Sequence, residues 1–328
     1  MTGSPPTGRR GGPSPARAVG RRLGDRPGRG APTIARPILV LGGTGKTGRR
    51  VAERLRTLGL PVRIGSRSGD PPFDWDLPHT WPNVVWGARA AYVTFQPDLA
   101  VPGAVEAVRE FAALARENDV RRIVLLSGRG EEGAENVEQA VRESGAEWTI
   151  LRSAWFHQNF SEGYLVDAVR EGDVALPVAY AGEPFVDADD VAEVAVAALT
   201  EDGHAGRLYE LTGPRLLTFA DAVEEIAEAT GRDVRFRPVS SLAYAAELEA
   251  AGVAPAFISL VTYLFREVMD GRNAWLADGV QRALGRAPRD FRDYVRRTAM
   301  AGVWGPSAAA PGETVGVTEP TAVETPVG

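Results

Sequence analysis

The seven residues Gly42-Gly43-Thr44-Gly45-Lys46-Thr47-Gly48 carry the plainest chemical signal in the chain. Gly43 to Gly48 fit the pattern G-x-G-x-x-G, and Gly42, Gly45 and Gly48 are also spaced three apart. Glycines at this spacing permit a tight turn and bring backbone N–H groups close to a pyrophosphate. The N-terminus of the following helix adds partial positive charge. A short apolar run, Pro37 to Leu41, precedes the loop, and an amphipathic stretch with Val51, Leu55 and Leu58 on one face follows it. That strand–turn–helix setting is what the motif requires. The spacing of a mononucleotide P-loop is not met. Lys46, inside the loop, is the only lysine among 328 residues, and it stands where a cation can reach phosphate.

The end of the second strand discriminates between dinucleotides. An acid at that position holds the ribose hydroxyls of an unphosphorylated dinucleotide, about 20 residues beyond the glycines. Here the segment is Gly65-Ser66-Arg67-Ser68, with no carboxylate before Asp70. Arg67 suits a 2′-phosphate, which a guanidinium can hold through paired charge-assisted hydrogen bonds and which an acid would repel. The expected ligand is therefore NADP(H).

Alternating elements position these residues. Strands are expected at 38–41, Val62-Arg63-Ile64, Ala90 to Phe95, Arg122 to Leu126 and Trp148 to Leu151, with helices at about 47–58, 101–118 and 134–144 between them. Such β-α-β repetition implies an α/β fold: a Rossmann-type, doubly wound parallel sheet, from about residue 34 to 240. After Leu151 the pattern is more helical, with one further strand at Arg207 to Leu211. Thr218-Phe219-Ala220-Asp221 has capping-box spacing and opens a helix to about Thr230. Helices near 240–251, 255–270 and 277–297 make a small, mostly helical C-terminal cap over the substrate. The expected division is a basic arm at 1–33, a nucleotide-binding core at 34–154, remaining core elements with the substrate region at 155–304, and a tail at 305–328.

Composition removes several alternatives. There is no cysteine, so disulfides, thiolate metal sites and cysteine nucleophiles are excluded, and three histidines make a histidine zinc site unexpected. No apolar run reaches the ~18 residues of a membrane span, and the expected compartment is the cytoplasm. Residues 1–36 hold eight arginines against Asp25, while the whole chain carries −6. An acidic body argues against a broad nucleic-acid surface. The arm and the tail, rich in Pro, Gly or Ala, are expected to be disordered.

Several segments in order resemble the NmrA-like group of atypical short-chain dehydrogenases. These are the loop Gly42–Gly48, Phe73-Asp74-Trp75-Asp76, Val93 to Pro97, Leu125-Leu126-Ser127-Gly128, and Thr149 to Phe160. The resemblance runs from about residue 37 to 300. It implies a Rossmann domain with a small C-terminal domain and NADP(H) as ligand, in a group that spans quinone and azo-dye reductases, triphenylmethane-type reductases and redox-sensing regulators. It further implies that Thr44, Lys46, Thr47 and Arg67 contact phosphate and that Asp76 lies near the adenine. Thr94, Phe95 and Gln96 would line the cofactor channel, Ser127 would face the nicotinamide, and Ala154, Trp155, Phe156 and Asn159 would meet cofactor and substrate.

Short-chain dehydrogenases of the usual kind use Tyr-x-x-x-Lys to pass a proton to the substrate. With Lys46 as sole lysine that dyad cannot exist here, and Ala134 to Ala140, where it would lie, has neither residue. Its loss favours quinone-like or other conjugated aromatic acceptors, whose charge delocalises on reduction. Trp155, Phe156, Phe160 and Phe185 are expected around an apolar mouth, or else in ordinary core. Ser127 and His157 are the candidate catalytic residues, although helical spacing could equally turn His157 away. Arg129 is either an anion site or a surface arginine, and Asp187, Asp189 and Asp190 open a helix rather than bind metal. Two functions stay open: an NADPH-dependent oxidoreductase, or a non-catalytic NADP(H) sensor acting through a protein partner, with the arginine-rich arm as docking segment.

Overall fold

The structure, a computed structural model, describes residues 35–305, so the disorder expected at 1–33 and for nearly all of the tail lies outside the described residues. Five strands form in the order expected: β1 (Ile38–Leu41), β2 (Val62–Gly65), β3 (Ala90–Val93), β4 (Arg122–Gly128) and β5 (Glu147–Ser153). Between them lie α1 (Lys46–Thr57), α2 (Trp81–Val85), α3 (Ala104–Glu117) and α4 (Glu132–Glu143). Then come α5 (Leu165–Glu171), β6 (Asp173–Leu176), α6 (Ala188–Thr200), β7 (Arg207–Leu211), α7 (Phe219–Thr230) and β8 (Arg235–Pro238). The chain finishes with α8 (Ser241–Ala250), α9 (Pro255–Tyr263), α10 (Gly279–Leu284) and α11 (Phe291–Met300).

The main sheet has six parallel strands in the order β2-β1-β3-β4-β5-β7. β1 and β3 are fully buried, as strands covered by helices on both faces must be. One face packs Val51, Ala52 and Leu55 of α1 and the alanine-and-valine surface of α6 against Val40 and Tyr92. The other face packs Val108 and Phe111 of α3 and Val137 of α4 against Leu39, Val93 and Ile123. Each fully buried Val or Leu contributes about 1.5–3 kcal/mol. The strand order reverses between β1 and β3, so the loops leaving their carboxyl ends diverge and open a crevice, the place where such sheets bind ligands.

The second compartment has its own core, with Phe160, Phe185, Phe219, Phe291 and Trp304 almost inaccessible to solvent. It departs from expectation in two ways. It is mainly helical but also holds a two-stranded parallel sheet, β6 paired with β8, in the register Val174↔Phe236. The helix expected at 277–297 is two helices: Gly285 (φ +69°) ends α10, Pro288 prevents its continuation, and the Asp290 side chain accepts from Arg292 N at 2.8 Å to open α11. α9 runs on through a π turn, Leu264–Val268. The Thr218–Asp221 capping box is reciprocal, at 2.8 and 3.1 Å. No helix among the described residues is long and apolar enough to cross a membrane.

Candidate active site

A cleft lies along the carboxyl ends of the main strands, between the sheet and α9. Its floor is the glycine loop. Gly42 has φ +61°, a conformation that costs an L-residue roughly 1–2 kcal/mol, and a Cβ there would overlap Thr94 Oγ1. Gly48 lies so close to the Gly42 carbonyl that a Cβ would collide with it, which lets α1 begin directly behind the turn. The N-terminus of α1 carries no side-chain cap and no acid in its first turn. Its free N–H groups thus face the loop, the arrangement that receives an anion.

Lys46 and Thr47 are buried and line this cleft. The Lys46 ammonium makes no ion pair with a described carboxylate, and it lies where a Cβ on Gly163 would approach it to 3.0 Å. Glu162 is instead engaged by Arg49 (2.6 Å) and Arg50 (2.7 Å) from the next turn of α1. Burial above all lowers the Lys46 amine to about 8; Glu162 opposes the shift, and Arg49 and Arg50 add to it. A desolvated, unneutralised cation beside an uncapped helix start is chemically suited to a phosphate.

Of the other residues singled out from sequence, Gly42, Gly45, Thr94, Phe95, Gln96, Ser127, Trp155, Phe156 and Asn159 come together around the same cleft. Ser127 stands near the end of β4, where its Oγ–H donates to Glu138 Oε1 at 2.8 Å. Glu138 comes from α4, the helix on which the tyrosine–lysine pair would have stood. It is fully buried and clamped by Arg152 Nε (2.6 Å) and Nη2 (2.7 Å) and by Arg142 (3.1 Å). Ser127 therefore spends its proton on Glu138 and offers the cleft an acceptor oxygen rather than a donor. Gly43 and Thr44 complete the turn, with Gly43 packed so that a Cβ would come within 2.6 Å of Ile64 Cδ1.

Four expectations fall outside the cleft. His157 is fully buried: its Nε2–H donates to the Phe185 carbonyl at 2.9 Å, and its ring packs on Phe291 and Tyr294. Burial lowers its pKa to about 4 against the pull of Asp187, so at neutral pH it is an uncharged core side chain with no access to substrate. Phe185 packs on Phe160, Phe219 and Phe291 in the second core, away from the lining. Arg67 and Asp76 are exposed, and neither lines the cleft. Arg129 is neither an anion site nor a surface group, because it is buried over the Trp275 ring at 4.4 Å and within 3.5 Å of Glu210. Asp187 caps α6, accepting from Asp189 N at 2.9 Å.

The sequence concealed the far wall and two acids. Tyr164, Phe257, Leu260, Val261 and Leu264 close the cleft from the second compartment. Phe257 to Leu264 recur at helical spacing, but periodicity does not say which neighbour a helix covers. Asp98 and Glu131 also line the cleft, and in polar loops both read as solvated charge. Glu183, outside the lining, is buried as well, accepting from Trp155 N at 3.0 Å and pushed up to about 7 chiefly by burial.

No family model matches the chain. It is 32% identical over 289 residues to the uncharacterized oxidoreductase YesF of Bacillus subtilis, covering 82% of this chain and 96% of that protein. It is 34% identical over 285 residues to the (4-alkanoyl-5-oxo-2,5-dihydrofuran-3-yl)methyl phosphate reductase of Streptomyces griseus, covering 80% and 98%. Among solved structures, it is similar in fold to the NADPH-dependent quinone oxidoreductase QOR2 of Escherichia coli in complex with NADPH. That match has a TM-score of 0.67 and 18% identity, over 79% of this chain and 99% of the other. With relatives above 30% identity along nearly their whole length, and with the glycine loop and strand ends just described, the chain belongs to the NmrA-like group of atypical short-chain dehydrogenase/reductase oxidoreductases.

Proposed function

We propose that the protein is an NADPH-dependent oxidoreductase that reduces a quinone-like or other conjugated small molecule without a tyrosine–lysine dyad. One observation carries this: a cleft whose floor is an anion-receiving loop with an unneutralised lysine, and whose far wall is aromatic and aliphatic. Arg67, just past β2 with no acid beside it, favours the 2′-phosphorylated cofactor. Bound there, NADPH supplies a hydride. Lys46, Thr47 and the loop N–H groups hold phosphate, and Thr94, Phe95 and Gln96 line the channel beyond.

The acceptor then lies against Trp155, Phe156, Tyr164 and Phe257, apolar faces that suit a planar ligand and exclude water. Ser127, its proton committed to Glu138, orients the ligand as an acceptor. Support for a conjugated acceptor comes from the relatives: one reduces an oxo-dihydrofuran bearing an alkanoyl group, and QOR2 is a quinone oxidoreductase.

Anaerobic mixing of the protein with NADPH and a panel of quinones, azo dyes and enones tests this. Loss of reduced-nicotinamide absorbance with at least one acceptor is expected. Silence across the panel, with tight NADPH binding intact, would instead support a sensor that works through a protein partner.

A further inference from the structure

Glu131 is the cleft side chain that the chemistry above leaves unused. It stands at the N-cap of α4 with extended backbone, yet its carboxyl makes no hydrogen bond to the helix N-terminus. The carboxyl lies instead across Gly128 at the end of β4, so closely that a methyl group on Gly128 would overlap Oε1. Glu131 is only 7% exposed and lines the cleft. Asp98, from the loop after β3, lines it too, near enough for the two carboxyls to interact directly, and its loop packs on the start of α4 so closely that a Cβ on Gly133 would come within 2.7 Å of Ala100 Cα. Asp98 Oδ1 also accepts from Ala100 N at 2.7 Å, which fixes its orientation.

Two carboxyls in such contact share a proton, because adjacent like charges with little water cannot both ionise. No described cation pairs with Glu131. Among the described residues, Tyr263 of α9 is coupled to the pair: its proton is held more tightly by burial, by these two carboxyls and by Glu267, against the pull of Arg272. Burial first and Asp98 second raise Glu131 well above the usual carboxylate range. A separate sign that a polar ligand belongs in this cleft is Tyr164, which lines it with a buried hydroxyl lacking any partner among the described residues.

Building on the oxidoreductase function proposed above, we propose that Glu131 is the proton donor of the reaction, with Asp98 as its proton-sharing partner. As the acceptor takes up a hydride, the O–H bond of Glu131 breaks and its electron pair stays on the carboxylate. A new O–H bond forms on the acceptor, which is reduced by two electrons while the nicotinamide is oxidised by two. Asp98 is partly exposed and gives solvent a route to return the proton. The pair thus takes the place of the missing dyad, supplied from the start of α4 and the loop after β3.

Infrared spectra of the full-length native protein, E131Q and D98N, with and without NADP⁺, test this alongside kinetics. In the difference spectrum of native protein minus E131Q, where the band of the buried Glu183 carboxyl cancels, a protonated-carboxyl carbonyl band is expected at neutral pH; in D98N it titrates at lower pH, because the neighbouring negative charge is gone. E131Q should keep its NADPH Kd and lose about 10²–10⁴-fold in kcat, and with it the alkaline fall of kcat/KM for the acceptor at saturating NADPH. Absence of the band from that difference spectrum overturns the proposal, whatever the rates. An active native enzyme matched in rate by E131Q overturns the donor role alone, whereas a native protein inert toward every acceptor overturns the oxidoreductase function and the donor role together.

Discussion

Ser127 and Glu138 are joined by a 2.8 Å hydrogen bond that carries the cleft's polarity into the buried interior of α4. Glu138 has no solvent of its own and relies on Arg152 and Arg142 for neutrality. Glu138→Gln should therefore cost about 3–5 kcal/mol, since breaking a buried pair strands the guanidinium beside it. Ser127→Ala, which removes one hydrogen bond, should cost on the order of 1 kcal/mol. Denaturant midpoints of the two variants give the comparison, and equal losses would mean that the arginine clamp is not what stabilises Glu138.

Lys46 sets function against stability. Its folded pKa, about 8, lies below the unfolded value of 10.5. The unfolded chain thus holds the proton more tightly, and at neutral pH the buried charge opposes folding. Lys46→Met is expected to raise the stability of the free protein by about 1–3 kcal/mol at pH 7, a gain that shrinks as pH climbs from 8 toward 10.5. The same variant should weaken NADPH binding roughly 10–100-fold. Native affinity should also fall above pH 8, where the amine loses its charge, while the variant stays flat. Titration calorimetry across that range decides it, and a native profile without the fall would remove Lys46 from the phosphate site.

Gly48→Ala places a methyl group against the Gly42 carbonyl, so the turn must open. The expected cost is about 1–3 kcal/mol of stability, together with loss of detectable NADPH binding in a protein that keeps its far-ultraviolet dichroism. Unimpaired binding would mean that the loop is not the phosphate cradle.

His157 predicts an acid sensitivity unrelated to catalysis. Its folded pKa of about 4 lies below the unfolded value of 6.5, so its contribution to stability is complete above pH 6.5 and is lost as pH falls toward 4. Thermal melts should decline over that window in the native protein and less so in His157→Gln, whose amide can still donate to Phe185. Turnover at neutral pH should be nearly unchanged in the variant. A 10²-fold loss would place the imidazole at the chemistry after all.

Arg67→Ala addresses the choice of cofactor. Losing a bidentate partner for a 2′-phosphate should lower the ratio of NADPH to NADH affinity by roughly 10–100-fold. Equal affinities in the native protein would overturn the preference for NADPH.

The nucleotide half of this molecule was legible in its sequence because its signals are local. Gly42 to Gly48 specify their own turn, and Ile38 to Leu41 are apolar at every position because helices cover both faces. The second sheet was not legible: β6 and β8 are four residues each, mostly exposed on β8, and pair across about 60 residues of intervening chain. His157 misled for a related reason. A titratable side chain in a matched segment carries no mark of which way its 3-10 turn faces, and here that turn points into the aromatic core. The carboxyl pair was hidden because Asp98 and Glu131 are 33 positions apart and only the β3–β4 pairing brings their loops together.

After β5 the chain enters the second compartment through α5 and β6, returns through α6 and β7, leaves again through α7 to α9, returns with α10 and leaves once more with α11. Two bodies laced together by so many passages have no single swivel, and no cut in the chain frees one from the other. A hinge closure over the ligand would have to bend all of these passages at once. Selection among acceptors falls to the standing shape of the cleft and to side-chain movement within it, so broad or narrow taste is a matter of wall residues such as Phe257 and Leu264, exchangeable one at a time.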